Sequence, residues 1–288
     1  MKPGRFSYEA PASLDAALDS LATWHDAAKI IAGGQSLAPM LNMRLARPDH
    51  LIDINALADL GRVAVDDDKL SIGALVRHQQ LGHHELVMQH CPMLAYAAET
   101  IGHYAIRQRG TIGGSLAHAD PAAQLPLAAL TLDAEIELRS ATTRRTVPAD
   151  AFFVSIFTTA IEPDELLVTI RLPLRQPHEG WGFRLFTRRA GDFAIVSVAA
   201  TLARGQGAAI ERLRLAIGGI GPVPVRAEHL VPAEFATVLT EGWSVGVAAA
   251  VAAAVEIEDN ERTPVVFRRE LVESLTRDVL DDALERAR

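Results

Sequence analysis

The residues best suited to chemistry lie in two short glycine-paired loops: Ala32-Gly33-Gly34-Gln35-Ser36 and Thr111-Ile112-Gly113-Gly114-Ser115. Each places Gly-Gly after a small or apolar residue and ends on serine. Glycine has no Cβ, so a ligand can approach its backbone closely, and it adopts positive φ without strain. Successive N–H groups in such a turn converge on an anion, as a nest or as the first turn of a helix. A lone Gly-Gly is equally a plain tight turn. Two matched loops in one chain predict two backbone clamps around a diphosphate. No G-x-G-x-x-G follows a strand and no G-x-x-x-x-G-K-[ST] occurs, so a Rossmann or P-loop site is unsupported. A dinucleotide such as FAD has one diphosphate, which two loops could grip from both sides.

His118 and Asp120 follow the second loop, among small residues that leave room for a ligand. Asp120 serves equally as a cap for a helix opened by Pro121. Arg107 and Arg109 flank the same loop and suit phosphate neutralisation. His78, His83, His84 and His90 do not have zinc-site spacing and read as a solvated surface. Ser36 and Ser115 sit in no nucleophile motif. The single cysteine, Cys91, excludes an internal disulfide and an all-cysteine iron–sulfur cluster in this chain, and reads as a small buried residue.

The elements that must position the loops follow from the hydrophobic pattern. Residues 29–32 form a strand ending in the first loop. Ser36 caps a helix over 37–45, and 50–54 is a second strand. This β-turn-α-β unit puts its loop at a strand's carboxyl end, where α/β folds place ligands. A hairpin spans 63–73, helices cover 76–89 and 92–101, and a helix runs from Pro121 to about 130. Strands are expected at 134–138, 144–147, 166–172, 181–187, 194–203 and 211–217. A linker at 173–180 separates a C-terminal α+β domain, which ends in a charged amphipathic helix from about 265.

The 288 residues, 49% hydrophobic and 22% charged, suit a globular chain of two or three compact units. A net charge of −8 argues against a nucleic-acid partner. The longest apolar run, 245–255, is too short to span a bilayer, and the N-terminus has no apolar signal region, so a cytoplasmic protein is expected.

The motifs resemble the FAD-binding medium subunit of molybdenum hydroxylases. That family includes the flavoprotein subunits of carbon monoxide dehydrogenase and of bacterial xanthine dehydrogenase-like enzymes. The first signature is residues 32–37 with Pro39, Arg44, Pro48 and Ile52-Asp53-Ile54. The second is residues 106–115 continuing through 117–123. Arg188-Arg189-Ala190-Gly191-Asp192-Phe193-Ala194, and Gly218-Gly219 with Pro222, Pro224 and Arg226, resemble its C-terminal domain. The implied fold is α+β. A PCMH-type FAD-binding domain over 1–176, in subdomains of about 1–56 and 57–176, precedes a C-terminal domain over 177–288 with an antiparallel sheet and helices.

The resemblance implies that Ala32, Gly33, Gly34, Gln35 and Ser36, with Thr111, Ile112, Gly113, Gly114 and Ser115, hold the pyrophosphate and adjoining parts of FAD. Lys29, Ile101, His118, Gln124, Leu167 and Arg184 fall at further cofactor positions, and Phe193 near the isoalloxazine ring. Gln124 stands where the family usually has an acid; its amide oxygen still accepts a hydrogen bond but brings no charge. Gln35 and Ser115 depart from the His and Asp of the carbon monoxide enzymes, so that substrate is not implied.

The function implied is electron transfer. Electrons from iron–sulfur clusters on a partner would pass through FAD to an external acceptor. The expected partners are a large molybdopterin-binding subunit and a small subunit with [2Fe–2S] clusters, as a dimer of heterotrimers. No catalytic side chain or metal ligand is expected in this chain. A stand-alone flavin oxidase or reductase, and a non-catalytic scaffold, remain the alternatives.

Overall fold

The structure is a computed structural model that describes residues 2–260 and 263–287. The expected chain-end domain limits, 1 and 288, lie outside the described residues.

The N-terminal unit is a small parallel sheet packed by α1. β1 (Ser7–Glu9) leads to α1 (Leu14–Trp24), whose N-cap Ser13 accepts the Ala16 N–H. Then come β2 (Ala28–Ile31), α2 (Leu37–Asn42) and β3 (His50–Asp53). The sheet order is β1-β3-β2, all parallel, so the first glycine loop leaves a carboxyl end. Ala17, Leu18, Leu21 and Ile52 are buried between helix and sheet.

The middle unit begins with the hairpin β4 (Val63–Asp66) and β5 (Lys69–Gly73), turned at Asp67-Asp68. Helices α3 (His78–His83), α4 (Glu85–His90), α5 (Pro92–Glu99), α6 (Tyr104–Arg107), α7 (Ile112–His118) and α8 (Gln124–Thr131) follow. Next are β6 (Glu135–Arg139), β7 (Arg144–Pro148), α9 (Ala149–Phe152), the two-stranded hairpin β8 (Phe153–Ser155) and β9 (Thr158–Thr159), and β10 (Leu166–Pro173). β4-β5-β10-β6-β7 form one antiparallel sheet.

Burial patterning explains β10. Leu166 and Val168 join the N-terminal core, whereas Leu167, Ile170 and Leu172 join the middle one. Strict alternation would not put 167 and 170 on one face. The register shift between Leu167 and Thr169 is the bulge that does so.

The C-terminal unit is an antiparallel sheet, β11 (Glu179–Phe186), β12 (Val196–Arg204), β13 (Ile210–Gly218) and β14 (Val225–Arg226), followed by α10 (Ala233–Ala236), α11 (Trp243–Ala254) and α12 (Val265–Arg286). One face carries α12; Trp181 and Phe183, on the other, meet Tyr96 of α5. β12 is buried along nearly its whole length because both its faces are covered.

Three local expectations are corrected. The helix over 76–89 is broken at His84, whose extended backbone ends α3 and starts α4. The helix expected from Pro121 begins at Gln124; Asp120 instead closes a turn by accepting the Ala122 N–H at 2.9 Å. α2 stops at Asn42, leaving Leu45 outside it and 71% exposed.

Candidate functional site: two glycine loops in contact

β2 delivers the first loop, and Gly34 turns it with φ +69°. Among the described residues, the N–H groups of Gly33, Gly34, Gln35 and Ser36 donate to no protein acceptor. Four consecutive free amides are donors available to an anion. Gln35 Nε2 folds back onto the Gly33 carbonyl at 3.0 Å. Ser36 does not cap α2, contrary to expectation: its backbone is already helical and its side chain takes no capping bond. Its helical φ and ψ are not the extended geometry that lets a capping hydroxyl reach back.

The second loop has the opposite wiring. Thr111 caps α7, its Oγ1 accepting the Gly114 N–H at 3.1 Å. Ile112 N–H goes to the Val76 carbonyl, Gly113 N–H to Ala74, and Ser115 N–H to Thr111. All four leading amides are therefore engaged, which corrects the expectation of two equivalent amide clamps. What the second loop offers is a surface without side chains. Gly113 packs on Ala74, while Gly114 is exposed, with only the Thr111 hydroxyl close to a Cβ position.

Beneath this loop lies His78, buried instead of solvated as expected. Its Nε2 meets the Thr111 carbonyl at 2.9 Å, so Nε2 carries the proton. Burial lowers its pKa to about 4; the Thr111 bond opposes this, and Arg107 and Arg77 add to it. The imidazole is neutral at pH 7. Among the described residues, no group of histidines, cysteines and acids could hold a metal ion.

The two loops touch. A Cβ on Gly33 would overlap the Arg109 carbonyl oxygen and lie 2.8 Å from the Gly110 Cα. Around the contact, Ile101 is half-buried, and Arg107 Nη1 holds the Ile101 and Gly102 carbonyls at 3.0 and 3.1 Å. Arg107 is thus tied to its own turn, whereas the Arg109 side chain is exposed. Gln124 is buried and reaches the Thr100 carbonyl at 3.5 Å. His118 sits half-buried at the end of α7 against Phe157, centroids 4.8 Å apart; burial lowers its pKa, with Asp120 opposing.

Leu167 is in the core at the β10 bulge; the neighbouring Val168 carbonyl accepts Ala74 N–H, and Ala74 in turn holds Gly113. Lys29 is exposed on β2. Phe193 is 61% exposed, in a loop whose Gly191 packs on the His103 ring. Arg184 is not brought to the loops: its side chain pairs with Asp282 of α12 at 2.7 Å, on the β11 face opposite Trp181 and Phe183. Asn55, Arg77 and His78 are the site residues that sequence reading missed. Only the polar Asn55 directly after an apolar strand hinted at them.

A loop of free amides, seated on the segment that leads into a second glycine pair and carried by a parallel sheet beside an antiparallel one, is not a Rossmann arrangement. Residues 4–175 match the family model described as FAD binding domain in molybdopterin dehydrogenase, and residues 181–283 the CO dehydrogenase flavoprotein C-terminal domain. The chain belongs to this family of FAD-binding molybdopterin dehydrogenase flavoproteins.

It is 39% identical to the 6-hydroxypseudooxynicotine dehydrogenase complex subunit alpha of Paenarthrobacter nicotinovorans, over 100% of this chain and 97% of that one. It is 30% identical to the xanthine dehydrogenase FAD-binding subunit of Escherichia coli O157:H7, over 98% and 97%. Its fold is similar to carbon monoxide dehydrogenase from Hydrogenophaga pseudoflava, solved without the Mo-pyranopterin moiety of its cofactor, with TM-score 0.93 and 33% identity over 99% of both chains. Among the described residues, no helix is long and apolar enough to cross a membrane.

Proposed function

We propose that this chain is the FAD-binding electron-transfer subunit of a heteromeric molybdenum hydroxylase. It accepts electrons from [2Fe–2S] clusters on a small partner subunit and delivers them to an external acceptor. A large partner holds the molybdenum cofactor, the assembly is a dimer of heterotrimers, and it works in the cytoplasm. The observation that carries the reading is the row of free amides on residues 33–36, on a loop seated against the Arg109–Gly110 backbone that leads to the bare Gly114 surface. Relatives named as subunits of dehydrogenase complexes support the partner assignment.

Bound FAD supplies the redox chemistry, and the protein binds, orients and tunes it. In this reading residues 1–176 form the flavin domain, divided near 56, and 177–288 the C-terminal domain. The amides of Gly33, Gly34, Gln35 and Ser36 hold the diphosphate, with Lys29 and Ala32 at its edge. Residues 111–115 lie flat against the cofactor, and His118 lines the same wall. Ile101, Gln124 and Leu167 line the flavin end, and Phe193 covers the ring. Arg184 contributes through its backbone or not at all, since Asp282 holds its side chain.

The test is purification of the co-expressed complex followed by cofactor analysis and a visible spectrum. One FAD per copy of this chain, reduced by the complex's substrate, is expected. An intact complex without FAD would overturn the reading. Bleaching of flavin in the isolated chain by a substrate would favour a stand-alone oxidase.

A further inference from the structure

A run of polar side chains bridges the two loops. Asn55, just past β3, donates through Nδ2 to the Ala32 carbonyl at 2.8 Å, immediately before the first glycine pair. Asp53 Oδ1 fixes Asn55 by accepting its backbone N–H at 2.9 Å and its amide at 2.6 Å. The other Asp53 oxygen accepts the Tyr8 hydroxyl at 2.8 Å. Asn55 Oδ1 accepts from Arg77 Nη2 at 2.6 Å, and Arg77 Nη1 donates to the Arg109 carbonyl at 2.5 Å. That carbonyl is the one Gly33 packs against. The chain therefore runs from one loop to the other through Asn55 and Arg77, anchored on the parallel sheet.

The chemistry of Arg77 fits a spacer. Its guanidinium serves two neutral oxygens on separate segments, a task for a rigid planar fork that a lysine ammonium cannot copy. Bonds from a charged donor are about twice as strong as neutral ones. Its backbone is fixed first, the N–H bonding Gln80 Oε1 at 3.0 Å. Burial and then the like charge of Arg109 lower its pKa, with Asp53 opposing. Two guanidiniums beside the loops are an arrangement that an anion relieves.

We propose that Asn55 and Arg77 are positioning residues of the cofactor clamp: they set the separation of the two glycine loops at which the FAD diphosphate is gripped. This rests on the FAD-clamp reading above.

The intact complex carrying Arg77→Met, Arg77→Lys, Asn55→Ala or the double variant tests it. The readouts are the FAD release rate, the visible circular dichroism of bound flavin and the unfolding midpoint. Each single variant should release FAD about tenfold faster. The double should be no worse than the singles, because they break one chain. Arg77→Lys should not rescue, and the flavin dichroism should change. Should Arg77→Met prevent assembly, Tyr8→Phe, which removes only the sheet-side anchor, should still speed release by about threefold. Wild-type release and dichroism in the variants, or rescue by lysine, would overturn the spacer role. Absence of FAD from the wild-type complex would instead overturn the clamp reading itself.

Discussion

Gly33 lies directly against the backbone of Arg109 and Gly110, so the first glycine loop is seated on the segment that leads into the second. A contact between backbones leaves no flexible group to yield. Gly33→Ala should therefore cost about 2–3 kcal/mol, the price of overpacking a rigid site, and should strip the flavin. Gly114→Val should separate the two effects. Its only close neighbour is the Thr111 hydroxyl that caps α7, at 2.9 Å from a Cβ position, so stability should fall by only about 1 kcal/mol, the worth of a cap, while bound FAD falls. Urea unfolding and the FAD-to-protein ratio, measured together, check both. A fully flavinated Gly114→Val protein would exclude close approach at the second loop.

His78 couples the second loop to pH. Its ordinary value is 6.5 and its folded value about 4, because burial penalises the imidazolium. The unfolded chain takes up a proton below 6.5 while the folded one does not. Stability is thus fully present above 6.5 and declines as pH falls towards 4, by about 3 kcal/mol in all. His78→Gln keeps a donor for the Thr111 carbonyl but cannot titrate. Its stability should depend less on pH across this window, as followed by urea midpoints at pH 7 and 4.5. Equal slopes in both proteins would refute the assignment.

Gln124→Glu should lower the flavin midpoint potential. A carboxylate there adds a negative charge in a buried position and opposes electron uptake. An effect of about 30 mV corresponds to roughly 1.4 kcal/mol for a two-electron couple. Potentiometric titration of the complex reads it. A raised potential would show that the carboxyl stays protonated or lies away from the flavin.

Arg184→Ala should leave FAD content unchanged. The Arg184–Asp282 pair is partly exposed, so its loss should cost about 0.5 kcal/mol of stability. Flavin loss in this variant would return Arg184 to the cofactor site.

The sequence by itself determined the element order around the first loop, and its motifs resembled the family and its cofactor class; the short helices α6 and α7 around the second loop were not legible in it. The legible features rest on local signals, strand patterns and glycine pairs; the two caps read from the sequence, Ser36 and Asp120, are not formed. β2, the β4–β5 hairpin, β11, β12, β13 and the final helix lie where their periodicity predicts, whereas the short β14 was not legible. The glycine signatures were legible because a Cβ at Gly33 would collide with the Arg109 backbone and because glycine enters the positive φ of Gly34 without strain.

Tertiary structure alone decided how the loops differ. Whether an amide is free depends on which carbonyl lies opposite, and the second loop meets Val76 and Ala74. The same holds for His78, which a helical surface pattern exposes and the Gly110–Thr111 segment buries. It holds for Asn55 and Arg77, whose partners lie 22 to 32 residues away in sequence. Hydrogen-bond satisfaction between segments so far apart is a property of packing, and no local pattern encodes it.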